Sequence, residues 1–189
     1  MKNKRAMKTV LGSLLAAAVL VMAGDDAIAA SRASRAYMIK AAFLYDMSKS
    51  TNWPRSAGRE LDFCISGQDP FGDAAALIDG KPVNGRVLRV HTGVGANGVT
   101  GCDILFVGGS DPAEVNDLLA TIGGTSVLTV SEMPDFLERG GMVRLKDVDN
   151  RLQFDVDLLA IRRAGLVLRT DALELADSVS AITAGTIQP

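Results

Sequence analysis

A regular alternation of short apolar runs and amphipathic segments is the feature that most limits how this chain can fold. Strand-like runs occupy residues 61–67, 86–92, 102–109 and 125–133, and helix-like segments separate several of them. The run at 102–109 is almost continuously apolar, as expected for a strand buried on both faces. Alternating β and α units predict an α/β sandwich, in which a mixed, mainly parallel sheet is flanked by helices.

The helix-like segments carry residues that start and end helices. Residues 70–80 and 110–123 each have proline in the first turn and glycine at the end, which predicts a helix in each. A short helix is predicted at 134–139, and a final helix is predicted to begin near Asp171. These segments supply the connections between the predicted strands.

A late hairpin is predicted at residues 142–157, with its turn at or near 148–150, and it adds antiparallel strands at one side of the sheet. Carboxylates alternate along it, and two of them could pair as catalytic acid and base. We predict instead that they form the wet face of a half-buried sheet. These carboxylates are Asp147, Asp149, Asp155 and Asp157.

The chain begins with the features of a secretory signal peptide. Four of the first eight residues are Lys or Arg, residues 9–24 carry no charge, and Ala27-Ile28-Ala29 has the small-x-small form of a cleavage site. The uncharged run is shorter than the roughly 20 residues that span a bilayer, and an uncleaved anchor is the alternative. We therefore predict a cleaved signal peptide at 1–29 and one α/β domain at 30–189.

The net charge of the domain limits the kinds of partner that it can be expected to bind. Cleavage after Ala29 would remove four cations and two acids, so the net charge would change from −2 to −4. A mildly acidic domain gives no reason to expect nucleic acid or an anionic membrane as partner, because both normally require a basic face.

The two cysteines, Cys64 and Cys102, both follow the predicted cleavage site. In an exported protein an even pair is most simply a disulfide, and two buried free thiols are the alternative. Together with one histidine they fall short of a zinc shell, so we expect no metal and no cofactor.

Motif-like stretches do not support an enzyme. Residues 93–98 match G-x-G-x-x-G, but another strand follows them, whereas a dinucleotide site needs a helix there. His91, the only histidine, has no nucleophile motif beside it, and we predict that it faces solvent. We assign no catalytic residues. Arg162-Arg163 could hold an anionic or acidic partner, or could be a solvated helix end that complements the helix dipole.

An amphipathic helix is predicted at residues 31–50. Trp53-Pro54 follows it as an extended corner that leads to the first predicted strand, at 61–67. The apolar side chains of the helix recur at four-residue steps and define a stripe, most of which we expect to pack on the sheet. The stripe comprises Ile39, Phe43 and Met47, with Met38, Ala42 and Tyr45 beside them.

Taken in order and spacing, several stretches resemble the YfiR family of periplasmic regulators. The similarity extends from about residue 36 to residue 178, nearly all of the chain after the predicted signal peptide. The stretches are KAAFLY (40–45), WP (53–54), CISGQDPFG (64–72), VNGR (83–86), CDILFV (102–107), VLTVS (127–131), Phe136, GGM (140–142), NRLQF (150–154) and RRAGL (162–166).

The resemblance implies an α/β fold, a periplasmic location and no catalysis. The best-understood members of the family inhibit an inner-membrane diguanylate cyclase by binding its periplasmic sensor region, which lowers cyclic di-GMP and biofilm formation. An outer-membrane lipoprotein can sequester the inhibitor, and some members are homodimers. The pair Cys64–Cys102 falls where the family has a disulfide, and a second disulfide of some members is missing here. The family usually has aromatic residues at positions 47 and 50, where this chain has Met47 and Ser50.

Two hypotheses assign binding residues. A regulator that acts by protein contact would use aromatic and arginine side chains, the types enriched at interface hot spots, and core packing is the alternative for Phe43 and Trp53. Its candidates are Phe43, Tyr45, Trp53, Arg162 and Arg163. The second hypothesis is a periplasmic small-ligand binding or sensing protein, in which loops after parallel strands meet an anion at helix starts. Its candidates are Gly67, Asp69 and Ser110.

Overall fold

The computed structural model describes residues 30–54, 58–109, 111–174 and 178–180. The predicted signal peptide at 1–29 lies outside the described residues. The chain divides into two compact units, Met1–Tyr37 and Met38–Pro189. In the first unit, residues 30–37 are helical and mostly exposed.

Strands and helices alternate through the second unit. The described helices are α1 (38–50), α2 (Asp73–Ala76), α3 (Pro112–Thr121), α4 (Leu158–Arg163) and α5 (Thr170–Leu173), with one 3₁₀ turn at Val99–Gly101. The described strands are β1 (Thr51–Asn52), β2 (Glu60–Gly67), β3 (Pro82–Val83), β4 (Arg86–His91), β5 (Ile104–Gly108), β6 (Leu128–Ser131), β7 (Val143–Val148), β8 (Arg151–Asp157), β9 (Val167–Leu168) and β10 (Ser178–Ser180).

The sheet is mixed and mainly parallel, which confirms the predicted fold class. Eight of the described strands lie in the order β10-β8-β7-β6-β5-β2-β4-β3, and β1 pairs with β9 in a separate antiparallel ribbon. Within the large sheet only β7–β8 and β3–β4 are antiparallel. Among the described residues, no helix combines the length and the apolar character needed to cross a membrane.

The two faces of the sheet are covered by different elements. On one face, Phe71 packs edge-on against Phe63 of β2 and Phe106 of β5. On the other, α3 buries Val115 against Leu105 and the disulfide. Since consecutive strand residues point to opposite faces, the alternation within β2 and β5 supplies both layers, and the result is a sandwich of helix, sheet and helix.

Helix α1 contacts strands that lie far apart in the sheet order. The ring of Phe43 packs on Phe154 of β8, at 4.6 Å between centroids, and the Tyr45 hydroxyl donates to the Pro82 carbonyl of β3 at 2.8 Å. Strands β8 and β3 are six steps apart, which is roughly 29 Å in a flat sheet, whereas a helix with its side chains is about 10–12 Å wide. Helix α1 therefore makes contacts near both edges of the described sheet.

The predicted stripe on α1 is wrong at several positions. Met47 is buried as expected, but Ile39 is 50% exposed and Met38 is 40% exposed. The face that packs on the sheet is rotated from the predicted one, and it includes the ammonium-bearing Lys40. Its fully or nearly fully buried members are Lys40, Ala41, Leu44, Met47 and Ser48.

Three predicted helices are shorter than expected or absent. At residues 70–80 only Asp73–Ala76 is helical, because Gly72 enters with a φ of +47° and turns follow Ala76. Residues 134–139 form hydrogen-bonded turns, in which Gly140 N donates to Leu137 O. The predicted last helix is a single turn, α5, and residues 175–177 and 181–189 lie outside the described residues.

The hairpin is confirmed, but the prediction of a wet face is wrong for its second strand. Asp149 and Asn150 form its turn, with φ values of +51° and +59°, as two-residue hairpin turns require. Asp155 is 2% exposed and Asp157 is 3% exposed, and the Asp157 carboxylate accepts from Leu159 N and Ala160 N at the start of α4. Asp155 pairs with Arg144 and Lys146, and burial is tolerated because these cations compensate it.

Candidate functional site

A crevice opens where the carboxyl ends of β2 and β5 lie side by side. The chain leaves β2 towards β4 on one side and leaves β5 towards β6 on the other, so the connections diverge here. Open α/β sheets bind ligands at such switch points. The crevice has a volume of about 260 Å³, and its walls are formed by Ser66, Gly67, Ala96, Val107, Gly109, Glu114, Val115, Asp117 and Leu118.

Glycines set how closely the two strand ends approach. Gly67 has a φ of +78°, and a Cβ on Gly108 would lie 1.9 Å from the Gln68 carbonyl oxygen. A Cβ on the adjacent Gly109 would meet only Val115 Cγ2, at 3.8 Å. Packing therefore requires glycine at position 108, while the glycine at 109 leaves space open beside the crevice.

The structure brings together only part of the predicted ligand set. Gly67 lines the crevice, but the Asp69 carboxylate accepts from the backbone N–H groups of Phe71 and Gly72, at 2.8 and 3.3 Å. Ser110 lies outside the described residues. Two carboxylates, Glu114 and Asp117, border the crevice, so its charge disfavours the anion that the sequence suggested. The ligand-binding role of these residues stays a prediction.

The aromatic candidates on α1 are partly buried. Phe43 packs on Phe154, as described above, while the Tyr45 ring lies beneath the ammonium groups of Lys49 and Lys81, at 4.6 and 5.3 Å from the centroid. Both rings keep part of their surface accessible. Their role in binding a partner remains a prediction, and Tyr45 offers the more polar surface.

Trp53 follows β1, where the chain turns after α1, and its side chain lies in the core. It is 5% exposed, and its Nε1 donates to the Asp103 carbonyl at 3.2 Å. The Asp103 carboxylate pairs with Arg86 Nη2 at 2.5 Å and accepts from Asp62 N at 3.0 Å. This arrangement favours the alternative interpretation of Trp53, that it ties the corner to the amino end of β5.

Arg162 and Arg163 occupy the last turn of α4 and are both exposed. Asp157 caps the start of the helix, and its carboxylate accepts from Leu159 N and Ala160 N. Cations at a helix C-terminus complement the dipole, and neither arginine forms an ion pair with another described residue. Arg163 also borders a second cavity, of about 180 Å³. Their exposed guanidinium groups suit an acidic partner, and the solvated helix end stays open as the alternative.

A buried cation on α1 was missed by the sequence analysis. Lys40 is 3% exposed, and its Nζ pairs with Glu132 and, at 2.7 Å, with Asp147. Burial alone would lower the pKa of Lys40, but the hydrogen bonds and charges of Asp147 and Glu132 outweigh it, so the pKa is raised. No sequence signal marks this site, because the two acids lie more than ninety residues away in sequence.

His91 is exposed, as predicted, with its Nε2 at 2.8 Å from Asp62 Oδ1. Such a pair could orient a base, but Cys64 and Cys102 are joined in a disulfide and supply no thiol. Within the described ranges, no three His, Cys, Asp or Glu side chains gather in a way that could hold a metal ion.

The disulfide is confirmed. Cys64 of β2 and Cys102, just before β5, have Cα atoms 5.9 Å apart, within the usual range. Both half-cystines are buried, at 4% and 6% exposure, in the core beneath α3. A buried position favours a structural role for the bond over a redox-sensing one.

Comparison with known proteins gives a family match and a partial structural alignment. A family model described as YfiR/HmsC-like matches residues 37–177, well over half of the 189 residues. A crystal structure of a conserved domain protein from Vibrio cholerae O1 biovar El Tor aligns with a TM-score of 0.41 and 11% sequence identity. That alignment covers 65% of this chain and 55% of the Vibrio chain.

Proposed function

This chain belongs to the YfiR/HmsC-like family, and from that membership we propose that it is a non-catalytic periplasmic regulator that represses an inner-membrane diguanylate cyclase. Membership by itself points to the regulation of cyclic di-GMP signalling in general. The finer proposal is that the protein binds the periplasmic sensor region of the cyclase and so lowers cyclic di-GMP and biofilm formation. The single observation that carries it is the match over residues 37–177, which includes every strand from β1 to β9.

Two features of the chain support the proposed compartment. The signal peptide predicted at 1–29 would export the domain, and a disulfide between Cys64 and Cys102 suits an oxidising compartment such as the periplasm. Within this proposal an outer-membrane lipoprotein sequesters the regulator and relieves repression, and the free regulator forms a homodimer.

The proposed contact surface lies at the end of α4. Arg162 and Arg163 are exposed and have no ion pair within the described part of the chain, so their charges are available to a partner. Arginine is enriched at interface hot spots and binds carboxylates through two parallel hydrogen bonds. We therefore propose that these arginines meet acidic side chains of the sensor region.

Charge reversal tests this surface. The variant Arg162→Glu/Arg163→Glu should weaken binding to the purified sensor region by about tenfold or more, because loss of a hot-spot residue costs about 2 kcal/mol or more and about 1.4 kcal/mol corresponds to tenfold. Arg151→Glu is the matched control, since Arg151 is also exposed but lies at the hairpin turn. Binding is measured by calorimetry, with circular dichroism to verify folding. Equal affinities for the wild type and the double variant would contradict the proposed surface.

The crevice between β2 and β5 supports a second candidate function, the binding or sensing of a small ligand. The two functions are compatible, because the crevice and the α4 arginines are formed by separate parts of the chain.

A further inference from the structure

A buried hydroxyl that has no partner among the described residues faces the crevice at the ends of β2 and β5. Ser66 is 4% exposed and lines the crevice, yet its hydroxyl makes no hydrogen bond with any described residue. The hydroxyl oxygen is not among the fully enclosed polar atoms, so it remains in contact with the open space. Since buried polar groups are normally paired, an unpaired hydroxyl at a crevice wall indicates a partner that comes from outside the fold.

Neighbouring strands show how such a hydroxyl is used when it has a structural role. Ser131 lies in the same row of the sheet, next to Val107, which pairs with Ser66. The Ser131 hydroxyl donates to the Val107 carbonyl at 2.8 Å and accepts from Met133 N at 3.2 Å. Ser66 has neither bond, although both side chains project from the same face.

The charge of the crevice selects the ligand. Glu114 and Asp117, three residues apart on α3, both border it, and no Lys or Arg does so among the described residues. The positive end of the α3 dipole works against a cation, but it amounts to about half an elementary charge, whereas the two carboxylates carry two full charges. The balance therefore favours a cation.

The remaining walls are apolar and limit the size of the ligand. Ala96, Val107 and Leu118 contribute only hydrocarbon, and Gly109 adds no side chain. A volume of about 260 Å³ lies below the roughly 300–1,000 Å³ of drug-sized sites, so the space suits a molecule of a few carbons.

We propose that this crevice binds a small amino alcohol or a related organic ammonium compound that carries a hydrogen-bonding group. The ammonium group is held by Glu114 and Asp117, the short carbon chain lies against Val107 and Leu118, and the polar group bonds the Ser66 hydroxyl, which can both donate and accept. The site lies outside the proposed cyclase-binding arginines and would give the regulator a chemical input.

The test uses the full mature chain and three sets of probes. Ethanolamine, aminopropanol and aminobutanol contain both required groups, the alkylamines of the same chain length lack the hydroxyl, and propionate reverses the charge. Calorimetry should detect the amino alcohols and, about tenfold more weakly, the alkylamines, because one hydrogen bond corresponds to roughly that factor. Propionate should not bind.

Two variants separate the parts of the site. Ser66→Ala should reduce affinity for the amino alcohol to that for the matching alkylamine, without lowering the melting temperature, since the hydroxyl has no partner to lose among the described residues. Glu114→Gln/Asp117→Asn should weaken both kinds of amine by about tenfold or more. Glu138→Gln is the control, an exposed acid that borders the other cavity.

The outcomes that overturn the proposal are distinct from failure of the cyclase proposal. Absence of binding by every amine, equal binding of propionate, or full affinity in folded Ser66→Ala would each refute the site. Equal sensor binding by the wild type and the arginine variant would contradict the cyclase-binding surface but leave this result unaffected, because the calorimetry of the amines needs no cyclase.

Discussion

At the scale of single residues, buried charge is what the sequence analysis could not predict. A helical pattern assigns Lys40 to the wet side of α1, because lysine is rarely buried without a partner. Its partners come from distant segments, Glu132 after β6 and Asp147 in β7. The same holds for Asp155, which is buried against Arg144 and Lys146. Ion pairs across strands depend on sheet order, and spacing along the chain does not show sheet order.

Removal of the Lys40 charge should have a pH-dependent effect on stability. The pKa of Lys40 is raised above 10.5 in the folded state, so its contribution is present in full below pH 10.5 and is lost as the pH rises through the folded-state pKa. Lys40→Met should cost about 1 kcal/mol at neutral pH, since both acids are partly exposed and can be rehydrated. The measurement is urea unfolding at neutral pH and above pH 10.5.

The expected difference between the wild type and Lys40→Met shrinks only in the alkaline range. Lys49→Met is the matched control, because Lys49 pairs with Asp46 on the exposed side of the helix and should change stability little. A difference that stays constant through the alkaline range would contradict the role of the Lys40 charge.

Adjacent glycines at the end of β5 should respond differently to alanine. Gly108→Ala places a Cβ 1.9 Å from the Gln68 carbonyl oxygen, a backbone atom that cannot rotate away, so the free energy of unfolding should fall by about 3 kcal/mol or more. Gly109→Ala meets only Val115 Cγ2 at 3.8 Å and should be nearly neutral. Thermal unfolding of both variants checks this, and equal melting temperatures would show that the strand ends are not so closely packed.

At the scale of elements, the periodicity of apolar residues and the residues that start and end helices predicted most of the fold. The strands β2, β4, β5 and β6, the helix α3 and the hairpin all lie where apolar runs and caps placed them, because local sequence determines them. The helix predicted at 70–80 is only one turn long, since a glycine entry and following turns limit it. The ribbon β1–β9 has two-residue strands, too short to leave a pattern.

The disulfide should stabilise the junction between β2 and β5. It closes a loop with a sequence separation of 38, which corresponds to about 4 kcal/mol of unfolded-state entropy in the chain-entropy model. Cys64→Ala/Cys102→Ala should therefore lower the free energy of unfolding by up to that amount, measured with urea under oxidising conditions. The wild type with reductant provides the control. An unchanged midpoint in the double variant would contradict a stabilising role.

At the scale of the whole molecule, the resemblance in the sequence predicted the family, and the chain's own residues predicted less of the site. The order of motifs along the chain determines the family match over 37–177. The candidate partner-binding residues differ in burial, which the sequence does not show. Trp53 is in the core, whereas Arg162 and Arg163 are exposed. The crevice depends on the divergence of connections at β2 and β5, and Ser66 gave no signal before the sheet order was known.

Repression of a diguanylate cyclase is the central claim, and the cellular level of cyclic di-GMP tests it most directly. The measurement compares a strain that lacks this gene with the same strain complemented by the wild type or by Arg162→Glu/Arg163→Glu, in a background with the candidate cyclase. Deletion should raise cyclic di-GMP, the wild-type gene should restore the low level, and the arginine variant should fail to do so. An unchanged level after deletion would contradict the account.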